Sequence, residues 1–182
     1  ARKRIADSIW AHADEIIFTS SGTEGNNLAI QGMVQKGHAI TSAVEHQSVL
    51  EPLRMIARWG LQVTELAVGG EGLVFPSAVA TAIRPDTTFV SIQLVNSEMG
   101  AVEPVREIAK ELRRAKHKIY FHTDAAQAPL WVDCNVEKLG VDLMTLDGQK
   151  VLGPKGVGCL YVRRGTPLRA LLHGGKQERG LR

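Results

Sequence analysis

The chain has 182 residues, 44% hydrophobic and 23% charged, enough apolar material for one domain with a substantial core. Its net charge is +3 and its pI near 9.0, but basic residues cluster only at Arg2–Arg4, Arg113–Lys118 and the C-terminal end, without the dense basic face and interleaved aromatics of a nucleic-acid binder. No apolar run approaches the ~18 residues of a membrane span, and Cys134 and Cys159 form neither a metal spacing nor a disulfide framework, so a reducing compartment, the cytoplasm, is expected.

No signal peptide opens the chain; it starts at Ala1 in a helical pattern, from which a preceding N-terminal segment is expected. Residues 2–12 read as the end of a helix and Glu15–Thr19 as a strand. Ser20–Thr23 leads into a helix over Glu24–Gln35, with Leu28, Ile30 and Met33 apolar, followed by a strand at Ala39–Ser42. A helix near Ser48–Trp59, a strand at Gln62–Leu66, a turn at Gly69–Gly72, a helix at Ser77–Ile83 and a β-rich run at Thr88–Leu94 come next. Pro104–Ala115 is helical, with proline near its start and Glu107 in its first turn. Three strands close the chain, at Ile119–His122, Val141–Leu146 and Val157–Val162. The alternation predicts one α/β domain with a mostly parallel, seven-stranded sheet. The last two strands lie about ten residues apart without a helix, too close for a parallel crossover, so the final strand is expected to run antiparallel.

In such sheets ligands bind beyond the carboxyl ends of the strands. Five strand ends here deliver polar groups: Ser20–Thr23, then Glu45 and His46, then Asn96, then Asp124 and Gln127, then Lys150. Ser20–Thr23 reads either as a plain helix N-cap or as an anion cradle of small residues, hydroxyls and free N–H groups. Asp124 suits a helix N-cap or a partner for a cationic ring nitrogen, and His46 a loop histidine or a ring stacked on a ligand. Lys150, between Gly148 and Gly153–Pro154, is either a solvated hairpin lysine or a partly desolvated amine usable as a nucleophile. No Gly-x-Gly-x-x-Gly occurs, and Pro154 spoils a Walker loop, which disfavours dinucleotides and nucleoside triphosphates. A phosphate cradle, a carboxylate, a stackable histidine and a lysine together meet the needs of pyridoxal phosphate: a Schiff-base amine and a carboxylate that keeps the pyridine nitrogen protonated.

The segments Phe18–Ile30, Glu45-His46, Val95–Gly100, His122–Gln127, Gly148–Gly156 and His173–Arg182 resemble, in order and over essentially the whole chain, the cysteine desulfurases of the class V aminotransferase family. The resemblance implies a three-layer fold of the pyridoxal phosphate transferase large-domain type, spanning residues 1–182 and continued by a small C-terminal domain beyond them. It implies pyridoxal 5'-phosphate bound by Lys150 as a Schiff base, by Asp124 at the ring nitrogen, by Asn96 and Gln127 on the ring-hydroxyl side, and by Gly22 and Thr23 at the phosphate. His46 is implied to stack on the ring and to assist proton transfer, with Lys150 moving protons at the substrate. L-cysteine is the implied substrate, with alanine and an enzyme persulfide as products. The sulfur passes to acceptor or scaffold proteins for iron–sulfur cluster assembly or tRNA thiolation, in a homodimer that needs no nucleic acid, membrane or metal. Selenocysteine lyase, another class V enzyme, and an inactive fragment that binds only cofactor or a partner are the alternatives.

Two departures concern the phosphate. The family pattern has Ser and His where this chain has Asp147 and Gln149. A Gln149 amide can still donate, whereas an ionised Asp147 cannot and repels a phosphate at close range. A third concerns sulfur: neither Cys134, a packing residue after Trp131-Val132-Asp133, nor Cys159, within a strand, matches the persulfide cysteine, which belongs beyond Arg182.

Overall fold

The computed structural model describes residues 1–34 and 36–182. In chain order the elements are α1 (Arg2–Ser8), β1 (Ile16–Thr19), α2 (Gly22–Met33), β2 (His38–Ser42), α3 (Gln47–Ala57), β3 (Gln62–Leu66), α4 (Pro76–Ala82), β4 (Thr87–Ser91), α5 (Val105–Arg113), β5 (Tyr120–Asp124), α6 (Val136–Leu139), β6 (Leu143–Asp147) and β7 (Gly158–Val162). All seven expected strands are present. The end of the second helix, expected at Gln35, falls outside the described residues.

One sheet holds the strands in the order β1-β7-β6-β5-β4-β2-β3. β7 runs antiparallel to both β1 and β6, and the other pairings are parallel. The short β6–β7 connection dictates that reversal, because no crossover helix fits in it. Among the described residues, no helix is long and apolar enough to cross a membrane.

Neighbouring strand residues serve opposite faces, as the two-residue pleat requires. Ile16, Ile40, Val90, Met144 and Tyr161 pack into one core layer with α1, α4 and α5. Ile17, Ala39, Phe89, Leu143 and Leu160, each one position away, pack into the other with α2 and α3. The result is three layers, helices over both faces of the sheet. α5 reaches its layer through Val105, Ile108, Ala109 and Leu112, one stripe at helical spacing. Fully burying an aliphatic side chain of this kind contributes roughly 1.5–3 kcal/mol, so the two layers hold the sheet edges where the loops leave them.

α2 lies unusually close to the sheet. A Cβ on Gly25 would stand 2.9 Å from Thr145 Cγ2 of β6, and one on Gly158 at the start of β7 only 2.6 Å from the Ser21 carbonyl carbon. Both contacts require glycine, and together they press the N-terminus of α2 onto the edge where β6 ends and β7 begins.

Candidate active site

The cleft at that edge encloses about 240 Å³. Gly22, Thr23, His46, Asp124, Gln127, Gln149 and Lys150 all line it, so of the eight residues that the resemblance puts at a cofactor all but Asn96 meet in one place.

Asp124 ends β5 and is buried. Its Oδ1 accepts from the Ala126 N–H (2.9 Å) and its Oδ2 from the Asn26 side-chain amide (2.7 Å). Burial pushes its pKa up; the Ala126 and Asn26 hydrogen bonds and the nearby His46 work against that, and Asp147 adds to it. The carboxylate caps a turn rather than a helix, and one lone pair of each oxygen remains for the cleft.

Asn26 also donates to Ser48 Oγ (2.8 Å), which lies 2.7 Å from His46 Nδ1. The Ser48 backbone N–H donates to the same Nδ1 (3.1 Å), so Nδ1 is an acceptor and the proton of the neutral imidazole sits on Nε2. His46 is the N-cap of α3 and exposes its ring to the cleft. A continuous chain thus runs from the buried carboxylate through Asn26 and Ser48 to the histidine. Asn26 sits four residues after Gly22, on the same face of α2. That spacing was the one signal in the sequence that could have singled it out; nothing local points to Ser48.

Asn96 does not line the cleft; Val95 and Ser97 do. Its amide donates to the Val44 carbonyl (3.0 Å) and its oxygen accepts from the Glu98 and Met99 N–H groups (both 2.8 Å). It fastens its own loop to the segment that carries Glu45 and His46. Glu45 is wholly buried: Oε1 accepts from Ser42 Oγ (2.8 Å) and the Gln93 N–H (2.9 Å), and Oε2 has no partner among the described residues.

At the start of α2 the hydroxyls of Ser20 and Ser21 are committed to the helix end. Ser21 Oγ caps the Glu24 N–H (3.2 Å), and Ser20 donates from both N–H and Oγ to Glu24 Oε2. Among the described residues the Thr23 N–H has no acceptor. The Gly22 N–H donates to Asp147 Oδ2 at 3.0 Å, and Asp147 Oδ1 accepts from the Gln149 N–H at 3.1 Å. At this helix start the serine hydroxyls are thus engaged, the Gly22 N–H is taken by a carboxylate of the chain itself, and the Thr23 N–H has no acceptor among the described residues.

Lys150 is exposed, on a 3-10 turn (Gly148–Val151) at the rim of the cleft, and is not the desolvated lysine of a tight hairpin. Gly148 N–H to Val157 O and Gly153 N–H to Gly148 O, both 2.8 Å, pin the base of this loop, on which Lys150 is exposed. Cys134 and Cys159 are buried, and burial pushes both thiols up to about 12. Among the described residues no group of three His, Cys, Asp or Glu side chains could hold a metal ion.

The sequence model for "Aminotransferase class-V" matches residues 1–180. A protein of Dictyoglomus turgidum named "Cysteine desulfurase IscS" is 48% identical over 187 residues, covering 100% of this chain and 47% of the relative. Solved structures described as "SspA in complex with cysteine" and "NIFS-LIKE PROTEIN" superpose with TM-scores of 0.94 and 0.95 at 43% and 34% identity; each covers 100% of this chain, which spans 54% and 51% of theirs. The chain spans about half the length of the relatives it matches.

Proposed function

The chain belongs to the class-V aminotransferase family, and from that premise we propose that it is the cofactor-binding part of a cysteine desulfurase, releasing sulfur from L-cysteine and leaving alanine. Cysteine desulfurases are pyridoxal phosphate enzymes. The donor set of the cleft suits that group: a buried carboxylate with free lone pairs for a pyridinium, an imidazole face, an amine at the rim, and a free helix N–H at Thr23. When bound, the cofactor supplies an electron sink for the substrate's Cα.

Each residue then has a task. Asp124 holds the ring nitrogen's proton, and Asn26 keeps that carboxylate aimed. His46, oriented by Ser48 at Nδ1, would offer its imidazole face to the ring. Gln127 donates on the ring-hydroxyl side, while Asn96 acts through the Val95–Ser97 loop that it fastens. Gly22, Thr23 and the Gln149 amide face the phosphate. Lys150 would be the amine that holds the cofactor covalently and, once released, would carry the proton at the substrate's Cα. Neither cysteine suits the sulfur-accepting role, since thiols held near 12 are almost wholly protonated at neutral pH. Sulfur transfer to an acceptor or scaffold protein, in iron–sulfur cluster assembly and in a homodimeric enzyme, belongs to the same proposal.

The observation that carries the reading is the Asp124–Asn26–Ser48–His46 chain. It fixes a carboxylate and an imidazole toward the cleft at which Lys150 also stands. In the purified protein, Lys150→Ala is expected to abolish the visible absorbance band of the lysine-bound cofactor; a variant that keeps the band assigns attachment elsewhere.

A further inference from the structure

We infer that Asp147 is an internal competitor for the cofactor's phosphate, and that it sets how strongly the site prefers a phosphorylated ring to an unphosphorylated one. The inference rests on the cofactor site proposed above. α2 has 12 residues, and its N-terminus presents backbone N–H groups with the positive end of the helix dipole toward the cleft. Of these, the Gly22 N–H is engaged by a carboxylate oxygen 125 residues away, at 3.0 Å. Asp147 lies so close that a Cβ on Gly22 would stand 3.1 Å from Oδ2 and 3.3 Å from its own Cβ.

The carboxylate is also held from the other side. Its second oxygen accepts from the Gln149 N–H, which fixes the rotamer with both oxygens in the chain's own backbone cradle. Asp147 is buried, so its charge is screened less than a surface charge. A phosphate brought to the Gly22 and Thr23 amides meets this anion with one of the two amides already occupied. Binding therefore requires Asp147 to turn off Gly22 and break that hydrogen bond, or to stay and repel. Both penalties fall chiefly on the phosphate: Asp147 hydrogen-bonds to Gly22 and Gln149 and not to Asp124, His46 or Gln127, and it reaches the ring contacts only through its charge acting on Asp124.

The test titrates cofactor-stripped protein with pyridoxal phosphate and, separately, with pyridoxal, for the wild type, Asp147→Asn and Asp147→Ser. Affinity is read from cofactor absorbance and from quenching of intrinsic fluorescence. Asp147→Asn removes the charge while keeping an oxygen to accept from Gln149; Asp147→Ser puts a hydroxyl donor at the cradle. Both are expected to tighten pyridoxal phosphate at least tenfold while pyridoxal changes less than twofold, so that the ratio of the two affinities rises. Inorganic phosphate should also compete better against pyridoxal phosphate in the variants. If both ligands weaken together, Asp147 is only a structural cap and the inference fails while the cofactor site stands. An unchanged ratio in a protein whose band still depends on Lys150 overturns it equally. If wild type and both variants bind neither ligand, the proposed function fails and the inference falls with it.

Discussion

Glu45 gives the sharpest test of the electrostatics beneath the cleft. The side chain follows β2, is wholly buried, and keeps two donors on Oε1 while Oε2 finds none. Burial, against the Gln93 and Ser42 hydrogen bonds and with Asp124 and Glu103 adding to it, pushes its pKa from an ordinary 4.5 up to about 8. Between those values the folded protein holds a proton that the unfolded chain has released, so stability is complete below about pH 4.5 and falls as pH rises toward 8. At about 1.4 kcal/mol per pH unit, the whole window corresponds to an upper limit of roughly 5 kcal/mol. Glu45→Gln stays neutral throughout, and its carbonyl oxygen can accept the same two donors. Urea unfolding of wild type and Glu45→Gln at constant ionic strength, from pH 5 to 8, should give similar midpoints at pH 5. The variant should lead by a few kcal/mol at pH 8, with unchanged m-values. Parallel stability curves across that range would refute the reasoning, because they would mean that Glu45 does not titrate there.

Two further outcomes follow from the same geometry. Asn26→Ala removes the side-chain donor to a buried carboxylate and should cost about 2–3 kcal/mol by chemical denaturation; a loss below about 0.5 kcal/mol would mean that Asp124 finds another donor. With both thiols near 12, the thiolate fraction at pH 8 is on the order of one in 10⁴. Iodoacetamide should therefore leave Cys134 and Cys159 unmodified in the native protein over hours and label both in denaturant. Fast native labelling of either would contradict its burial.

The fold was legible because its signals are local. Apolar runs of strand length, a prolyl helix start at Pro104 and a connection too short for a crossover are all written along the chain, and the sheet follows them. The misses are also physical. α6 has four residues, too few to show a helical period. The run read to Leu94 leaves regular strand geometry after Ser91, although Ile92 and Leu94 still donate to β5 carbonyls. For Lys150 the sequence left a solvated and a desolvated amine both open; it stands on the connection between the buried strands β6 and β7, and the loop stapled through Gly148 and Gly153 leaves it exposed.

What the sequence could not disclose is which polar atoms meet across the fold. Asn26 reaches Asp124 over 98 residues and Gly22 reaches Asp147 over 125. Pattern assigns a residue to a face; it does not pair a donor with an acceptor. Here one face of α2 serves two aspartates at the ends of adjacent strands: Gly22 donates to the carboxylate on β6, and Asn26, one turn later, to the carboxylate on β5. Asp124 thereby gains an anchor that leaves lone pairs free for the cleft. Asp147 instead takes up the Gly22 amide at the start of α2. Asp147, one of the two positions at which the sequence departs from the desulfurase pattern beside Lys150, is thus the one to which a helix N–H is diverted. On the cofactor site proposed above, that diversion puts the departure on the phosphate side rather than at Lys150 or His46.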